Sequence, residues 1–308
     1  TVAPPPPEAE DPAPKIADPS QKVEQGNDRW TAVNKEFIDG SKKKARYKAA
    51  KALLDEREFV AFSEGDQLLT YREDEGTYND YGKEFIETKV QRKLTDEITT
   101  HDINEIIGHV RRETLTREAN FGPGDPSLIC VKNGVFDLET RELFDHDKEY
   151  QFRQQIPVEY DPEASSELLA EFLHDTLHEN DITLIEEIAG YCLYRDYFIQ
   201  KAFMFIGGGS NGKGVTLDLI TRMLGDENIS GMSLQRLTKD NRFAVKSLYR
   251  KYANIAGDLP GGKLGDTGMF KMLTGQDLIE AEVKHANRGI KFRNYAKMLF
   301  SANKVPQS

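Results

Sequence analysis

The residues in this chain that could do chemistry begin at Gly207-Gly208-Gly209-Ser210-Asn211-Gly212-Lys213-Gly214, directly after the apolar run Ala202–Ile206. The spacing G-x-x-x-x-G-K lets glycine backbone wrap around phosphate oxygens while a lysine ammonium neutralises them. The candidate nucleotide-binding residues are therefore Gly207, Gly208, Gly209, Ser210, Asn211, Gly212, Lys213, Gly214 and Val215. Gly214 stands where such loops carry the Ser or Thr that holds Mg²⁺. A phosphate site also needs an acid at a neighbouring strand end for the metal and a polar group for the attacking water. Asp258, closing YANIAGD, fits the first need, and Asn303, closing KMLFSAN, fits the second. Each also fits an ordinary turn. A second group, Lys284, His285, Arg288 and Lys291, brings four basic or titratable residues within eight positions without an acid. Such a patch holds a sugar-phosphate backbone without reading sequence, or it is simply a solvated hairpin.

The loop needs a buried strand before it and a helix after it. The run Ala202–Ile206 supplies the strand. Apolar spacing through Val215, Leu219 and Met223, with Gly225 as C-terminal cap, predicts a helix over 213–224 whose N–H groups face the phosphates.

Upstream, residues 1–29 hold seven of the thirteen prolines and are expected to be a disordered linker. A helical pattern over Trp30–Glu56 contains the basic run KKKARYKAAK, read as a solvated face before a nucleic-acid contact. A strand at Phe59–Phe62, a hairpin over 68–79, helices at KEFIETKVQRKL and INEIIGHVRRETL, and a hairpin around Asn133-Gly134 follow. Helix, hairpin and helix are compatible with a winged-helix-like unit. SELLAEFLHDTL and TLIEEIAGYCLY read as two packed helices.

The 308 residues, 38% hydrophobic, suffice for roughly two domains of about 100 to 200 residues. No apolar run approaches the ~20 residues of a membrane span, so a cytoplasmic location without membrane contact is expected. Cys130 and Cys192 lie far apart with no Cys or His partner at metal spacing and read as buried thiols. The net charge of -11 argues against a uniformly nucleic-acid-binding surface but leaves room for a local basic channel.

The stretch DTGMFKMLTGQDLIEAEVKHANRGIKFRNYAKMLFSANKVP, taken with the phosphate loop, resembles the superfamily 3 helicases, in particular the primase-helicases of viruses, phages and plasmids with a poxvirus-type N-terminal domain. The upstream segments TLTREANFGPGDPSLICVKNGVFDLET and IPVEYDP resemble the domain preceding the motor there, so the resemblance covers about residues 59–306. It implies ATP and Mg²⁺ as cofactors, with Lys213 on the transferred phosphate, Asp258 on the metal and Asn303 as sensor. Lys271, Thr274, Gly275 and Asp277 match the family's K-x-L-T-G-x-D motif. Lys271, Lys284, His285, Arg288 and Lys291 become the DNA-binding residues, with Lys284 and His285 near a hairpin tip inside a ring channel. The implied partners are single-stranded DNA, further copies in a hexameric ring, and a primase domain or subunit.

The expected fold is thus α/β. A disordered linker (1–29) and a mixed α+β winged-helix-like adaptor (30–198) precede an AAA+-like P-loop motor (199–308), expected to be truncated before the arginine finger. The expected function is ATP-dependent DNA helicase. The catalytic base has no assignment, since Asp258 lacks a neighbouring carboxylate; Glu280 and Glu282 are distant candidates. Gly214 and that missing carboxylate favour an alternative, a nucleotide-gated origin-binding or assembly module with vestigial hydrolysis. A small-molecule kinase shares the loop but has no use for the basic hairpin.

Overall fold

The computed structural model describes residues 19–94, 98–209, 211–237, 242–257, 267–282 and 289–303. They form two compact units. The first holds the residues up to Ala61 with Leu68–Thr70 and Tyr81–Leu115, the second Phe62–Gln67, Tyr71–Asp80 and the residues from Thr116 onward.

The first unit is mainly helical, with α1 (Pro19–Asp39), α2 (Lys42–Glu56), α3 (Gly82–Lys93) and α4 (Thr100–Glu113). Trp30, Val33 and Phe37 of α1 share a core with Ala45, Ala49 and Leu53 of α2 and Ile106 and Val110 of α4. The single helical pattern expected over Trp30–Glu56 is two helices, because the chain breaks at Gly40 and Ser41 takes an extended backbone as the cap of α2. Residues 19–29, expected to belong to a disordered linker over 1–29, are instead the start of α1, and residues 1–18 lie outside the described residues. Proline suits a first helical turn, and once the buried turns through Trp30 and Val33 nucleate a helix, propagation backward is cheap. Three residues of the basic run are tied down, Arg46 to Asp102 at 2.6 Å, Lys48 to Glu36 at 2.7 Å and Lys51 to Glu113 at 3.4 Å. This favours the solvated-face reading. Strand β1 (Phe59–Phe62) pairs antiparallel with β2 (Leu68–Arg72) in a sheet of order β3-β2-β1-β4, with β3 at Thr77–Asn79 and β4 at Leu115–Thr116.

Beyond Thr116 the second unit contains an antiparallel sheet of β5 (Leu128–Val131), β6 (Gly134–Asp137) and β7 (Leu143–Phe144). The Asn133-Gly134 signal marks its first turn, where Val131 pairs with Gly134. Helices α5 (Glu167–Thr176) and α6 (Glu179–Leu193) lead to β8 (Phe203–Ile206) and α7 (Lys213–Leu224), then β9 (Ile229–Ser230), α8 (Leu234–Leu237), α9 (Arg242–Val245) and β10 (Ala253–Ala256). After them come α10 (Gly268–Thr274), the hairpin strands β11 (Leu278–Ala281) and β12 (Ile290–Arg293), and β13 (Lys297–Ala302).

Strands β8, β13, β10 and β9, in that spatial order, make a wholly parallel sheet. All six residues of β13 are buried, as befits a central parallel strand covered on both faces. Met298 and Phe300 point into one core with Leu237, Val245 and Ile279, while Leu299 points into the other with Leu217, Ile220 and Ile188. That second core also takes in Ile129, Val131 and Phe136 of the antiparallel sheet. Residues 116–198, read as part of an adaptor, therefore fold with the parallel sheet.

Helix α7 keeps its predicted span but turns a different face inward. Thr216, Leu217, Ile220 and Leu224 are buried, whereas Val215 is 51% and Leu219 36% exposed. The helix is apolar on two stripes, and the one that meets Leu299 and Ile188 is set by the sheet, not by helical periodicity.

Candidate nucleotide-binding site

Parallel pairing brings the loop and the sensor position together. Ala302 pairs with Ile206, and the Gly207 N–H donates to the Ala302 carbonyl at 3.3 Å. Asn303, the residue that follows β13, thus leaves the sheet beside the glycine loop. β10 lies on the other side of β13, with Ala256 opposite Phe300, so Gly257 leaves the same edge. Crevices at the carboxyl ends of parallel strands are where open α/β sheets bind ligands.

A cavity of about 570 Å³ opens there, within the usual size of a small-molecule site. Gly209, Asn211, Gly212, Lys213, Gly214 and Val215 line it from the loop, Gly257, Ser301 and Asn303 from the strand ends, and Leu217, Asp218 and Thr221 from α7. Gly207 and Gly208 sit behind this lining and lend their carbonyls to the lysine.

Gly212 has the left-handed φ of +80°, and an added Cβ would run into the Thr176 side chain at the end of α5. Backbone conformation and neighbour both require glycine there. The first rung of α7 is Thr216 N–H to Gly212 carbonyl at 2.9 Å. The N–H groups of Lys213, Gly214 and Val215 precede that ladder, which leaves them for an anion. The Lys213 ammonium donates to the Gly207 and Gly208 carbonyls, both at 2.8 Å, and to Asn211 Oδ1 at 2.7 Å. It is thereby held over its own loop, with a terminal phosphate able to exchange with those neutral acceptors. Loop amides, helix N-terminus and lysine make a donor set that fits a polyphosphate.

The metal side is less complete. Thr216 is buried, and its Oγ1 donates back to the Gly212 carbonyl at 3.2 Å, so it does not replace the hydroxyl missing at Gly214. Ser210, Asp258, Lys284, His285 and Arg288 lie outside the described residues. Asp218, Thr221 and Ser301 were not foreseen from the sequence. The signal for Asp218 was its place one helical turn beyond Gly214.

The K-x-L-T-G-x-D motif proves to be a helix end. Leu273 is buried in the core, and Thr274 Oγ1 donates to the Phe270 carbonyl at 3.2 Å. The Gly275 N–H closes α10 on the Lys271 carbonyl at 2.8 Å, and Gln276 turns the chain into β11 with a φ of +63°. Lys271 is exposed on α10 and does not line the cavity. In the β11–β12 hairpin, Ile279, Ala281 and Phe292 face inward, while Lys291 and Arg293 face out. Glu280, directly across from Lys291, shares that outer face and does not line the cavity. Neither does Glu282, so these two carboxylates are not brought to the site. Cys130 and Cys192 are buried, and burial pushes both thiols up to about 12, far from a reactive thiolate.

The described residues of the second unit thus carry a phosphate-type loop at one edge of a parallel sheet within a mixed α/β fold. A family model described as D5 N terminal like matches residues 19–178, more than half of the chain. The chain belongs to that family, and with it to the viral primase-helicases. A second model, described only as a family of unknown function (DUF5906), matches residues 205–308.

Among curated proteins, "Putative primase C962R" of African swine fever virus, isolate Tick/Malawi/Lil 20-1/1983, is 30% identical over 129 residues, covering 40% of this chain. The counterpart from isolate Warthog/Namibia/Wart80/1980 shows the same identity and coverage. The chain matches 13% of these relatives' length. A solved structure of the NrS-1 C terminal region, in its A form and without ligand, superposes with a TM-score of 0.50 at 16% identity. It covers 84% of this chain and 56% of that one, a likeness of fold. Among the described residues, no helix is long and apolar enough to cross a membrane.

Proposed function

We propose that this chain is part of an ATP-dependent DNA helicase of the primase-helicase type, in which residues 199–308 belong to an AAA+-like P-loop motor. The observation that carries the reading is the convergence of Lys213, Gly257 and Asn303 on one cavity at the carboxyl ends of β8, β10 and β13. A loop motif alone would leave these unrelated. In this reading the loop amides and Lys213 bind the phosphates of ATP, Asp258 follows Gly257 onto the Mg²⁺, and Asn303 orients the attacking water. Mg²⁺, when bound, supplies charge neutralisation between the phosphates. The helices α1 to α4, with the β1–β2 hairpin set between them in sequence, serve as a winged-helix-like adaptor. Copies of the chain join in a ring, hexameric by family resemblance, and the basic hairpin grips single-stranded DNA. A primase domain or subunit is the expected partner, and the host cytoplasm the expected site of action.

One observation favours a second reading. Gly214 has no hydroxyl, the nearby Thr216 Oγ1 is committed to the Gly212 carbonyl, and Glu280 and Glu282 do not line the cavity. A nucleotide-gated origin-binding or assembly module would need only tight binding. Steady-state ATP hydrolysis by the complete gene product, with and without single-stranded DNA, separates the two. Strong stimulation that both Lys213→Ala and Lys284→Ala abolish is the result expected of the motor. Tight nucleotide binding with no stimulated turnover would leave the assembly module.

A further inference from the structure

Helix α7 lacks an oxygen where the phosphate-loop pattern puts one. A Ser or Thr after the lysine ordinarily gives its hydroxyl to Mg²⁺. Gly214 has none, and Thr216 Oγ1 is committed to the Gly212 carbonyl. Among the described residues, no group of three or more His, Cys, Asp or Glu is placed to hold a metal. A cation brought in with a nucleotide would therefore depend on phosphates, waters and single carboxylates, which is how Mg²⁺ is commonly held.

Asp218 lies four residues beyond Gly214, on the same face of α7 and one turn down. Helical side chains lean toward the N-terminus and cover the turn before their own Cα. By this geometry the Asp218 side chain has within its reach the surface that Gly214 leaves bare. That surface is open, since a Cβ built at Gly214 meets nothing within 4 Å. Gly214 and Asp218 line the same cavity as Gly257 and Asn303, and Asp218 is the only carboxylate among its described lining residues. Its present partner is Arg222, whose Nε donates to Asp218 Oδ2 at 2.7 Å. The two side chains are 54% and 75% exposed, and an i,i+4 ion pair in water is weak enough to yield to a divalent cation.

We propose that Asp218 supplies a carboxylate oxygen to the coordination shell of the nucleotide-bound Mg²⁺, standing in for the hydroxyl that Gly214 cannot provide. The inference rests on the reading of this cavity as an ATP site and adds a metal-positioning residue to it.

The test measures ATP affinity by titration calorimetry in Mg²⁺ and in EDTA, with the paramagnetic spectrum of Mn²⁺·ATP as a second readout of the metal's surroundings. Asp218→Asn and Asp218→Ala should lower ATP affinity in Mg²⁺ about tenfold, as loss of a metal-positioning group typically does, and leave affinity in EDTA unchanged. Gly214→Ser, for which the space exists, should restore the Mg²⁺-dependent affinity of the Asp218→Ala protein and the Mn²⁺ spectrum with it. Arg222→Ala should strengthen the Mg²⁺ dependence by releasing the carboxylate. Unchanged Mg²⁺ dependence in Asp218→Ala, or an equal loss in Mg²⁺ and EDTA, would overturn the role while leaving the ATP site intact. If the unmodified chain binds no ATP in either condition, and Lys213→Ala behaves identically, the ATP site falls and the inference falls with it.

Discussion

Gly212 carries two constraints at once, one from its backbone and one from its neighbour. Its φ of +80° lies in the left-handed region, and the space a Cβ would need is taken by Thr176. The first constraint alone costs an L-residue about 1 to 2 kcal/mol, and displacing Thr176 adds to it. Gly212→Ala is therefore expected to lower ATP affinity at least tenfold and to reduce the melting temperature measurably, both read on the purified chain. Gly209→Ala is the internal control for stability, because nothing lies within 4 Å of its added Cβ. A Gly212→Ala protein with unchanged affinity and melting temperature would mean the loop adopts another backbone. Residue identities made this much legible: G-x-x-x-x-G-K located the loop, and the apolar strands located Asn303. Asp218 stayed hidden because an exposed aspartate with an arginine four residues on reads as an ordinary helix surface. Only the shared cavity gives it a role.

At the scale of elements, local signals were read well and non-local ones were not. The span of α7, its Gly225 cap and the turn at Asn133-Gly134 follow from a few adjacent residues. The order β8-β13-β10-β9 depends on non-local pairings, the longest of which joins Phe203 of β8 to Leu299 of β13, and sequence offers no local mark for them. The inward face of α7 was misread for the same reason. One consequence of that order is visible at the opposite end of β13 from Asn303. Lys297 is fully buried there, and its ammonium donates to the Tyr194 carbonyl that ends α6, with the Tyr191 ring centroid 4.5 Å away. Burial, resisted by Cys192 and Asp196, pushes its pKa down to about 7. The sign of the resulting pH dependence is fixed. Below pH 7 the lysine is charged in both states and folding bears the full cost. Between about 7 and the unfolded value near 10.4, the folded protein gives up the proton first, so stability rises with pH. The buried thiols act oppositely above about pH 8.5, which makes the comparison with Lys297→Met the informative one. The difference in unfolding free energy, wild type minus Lys297→Met, should rise by a few kcal/mol from pH 7 to 10 in urea titrations. A flat difference would mean the lysine is solvated.

At the scale of the whole chain, two compact units predict two melting events, and the protein carries a natural probe for one of them. Trp30 is the single tryptophan and is buried in the core of the first unit, so its fluorescence follows that unit. The far-ultraviolet circular dichroism follows the helices of both. The phosphate loop, α7 and the parallel sheet belong to the second unit, and a ligand that binds only a folded state stabilises it by mass action. At about a hundred times its dissociation constant the gain is about 2.7 kcal/mol. ATP with Mg²⁺ should therefore raise the transition seen by circular dichroism but not by Trp30, and the two curves, already separate without nucleotide, should move further apart or cross. Lys213→Ala should remove the shift and leave the Trp30 transition where it was. Two curves that coincide and move together on adding ATP would show instead that both units melt as one cooperative body. Nucleotide binding would then be felt at Trp30, and the first unit would be a direct mechanical partner of the ATP site.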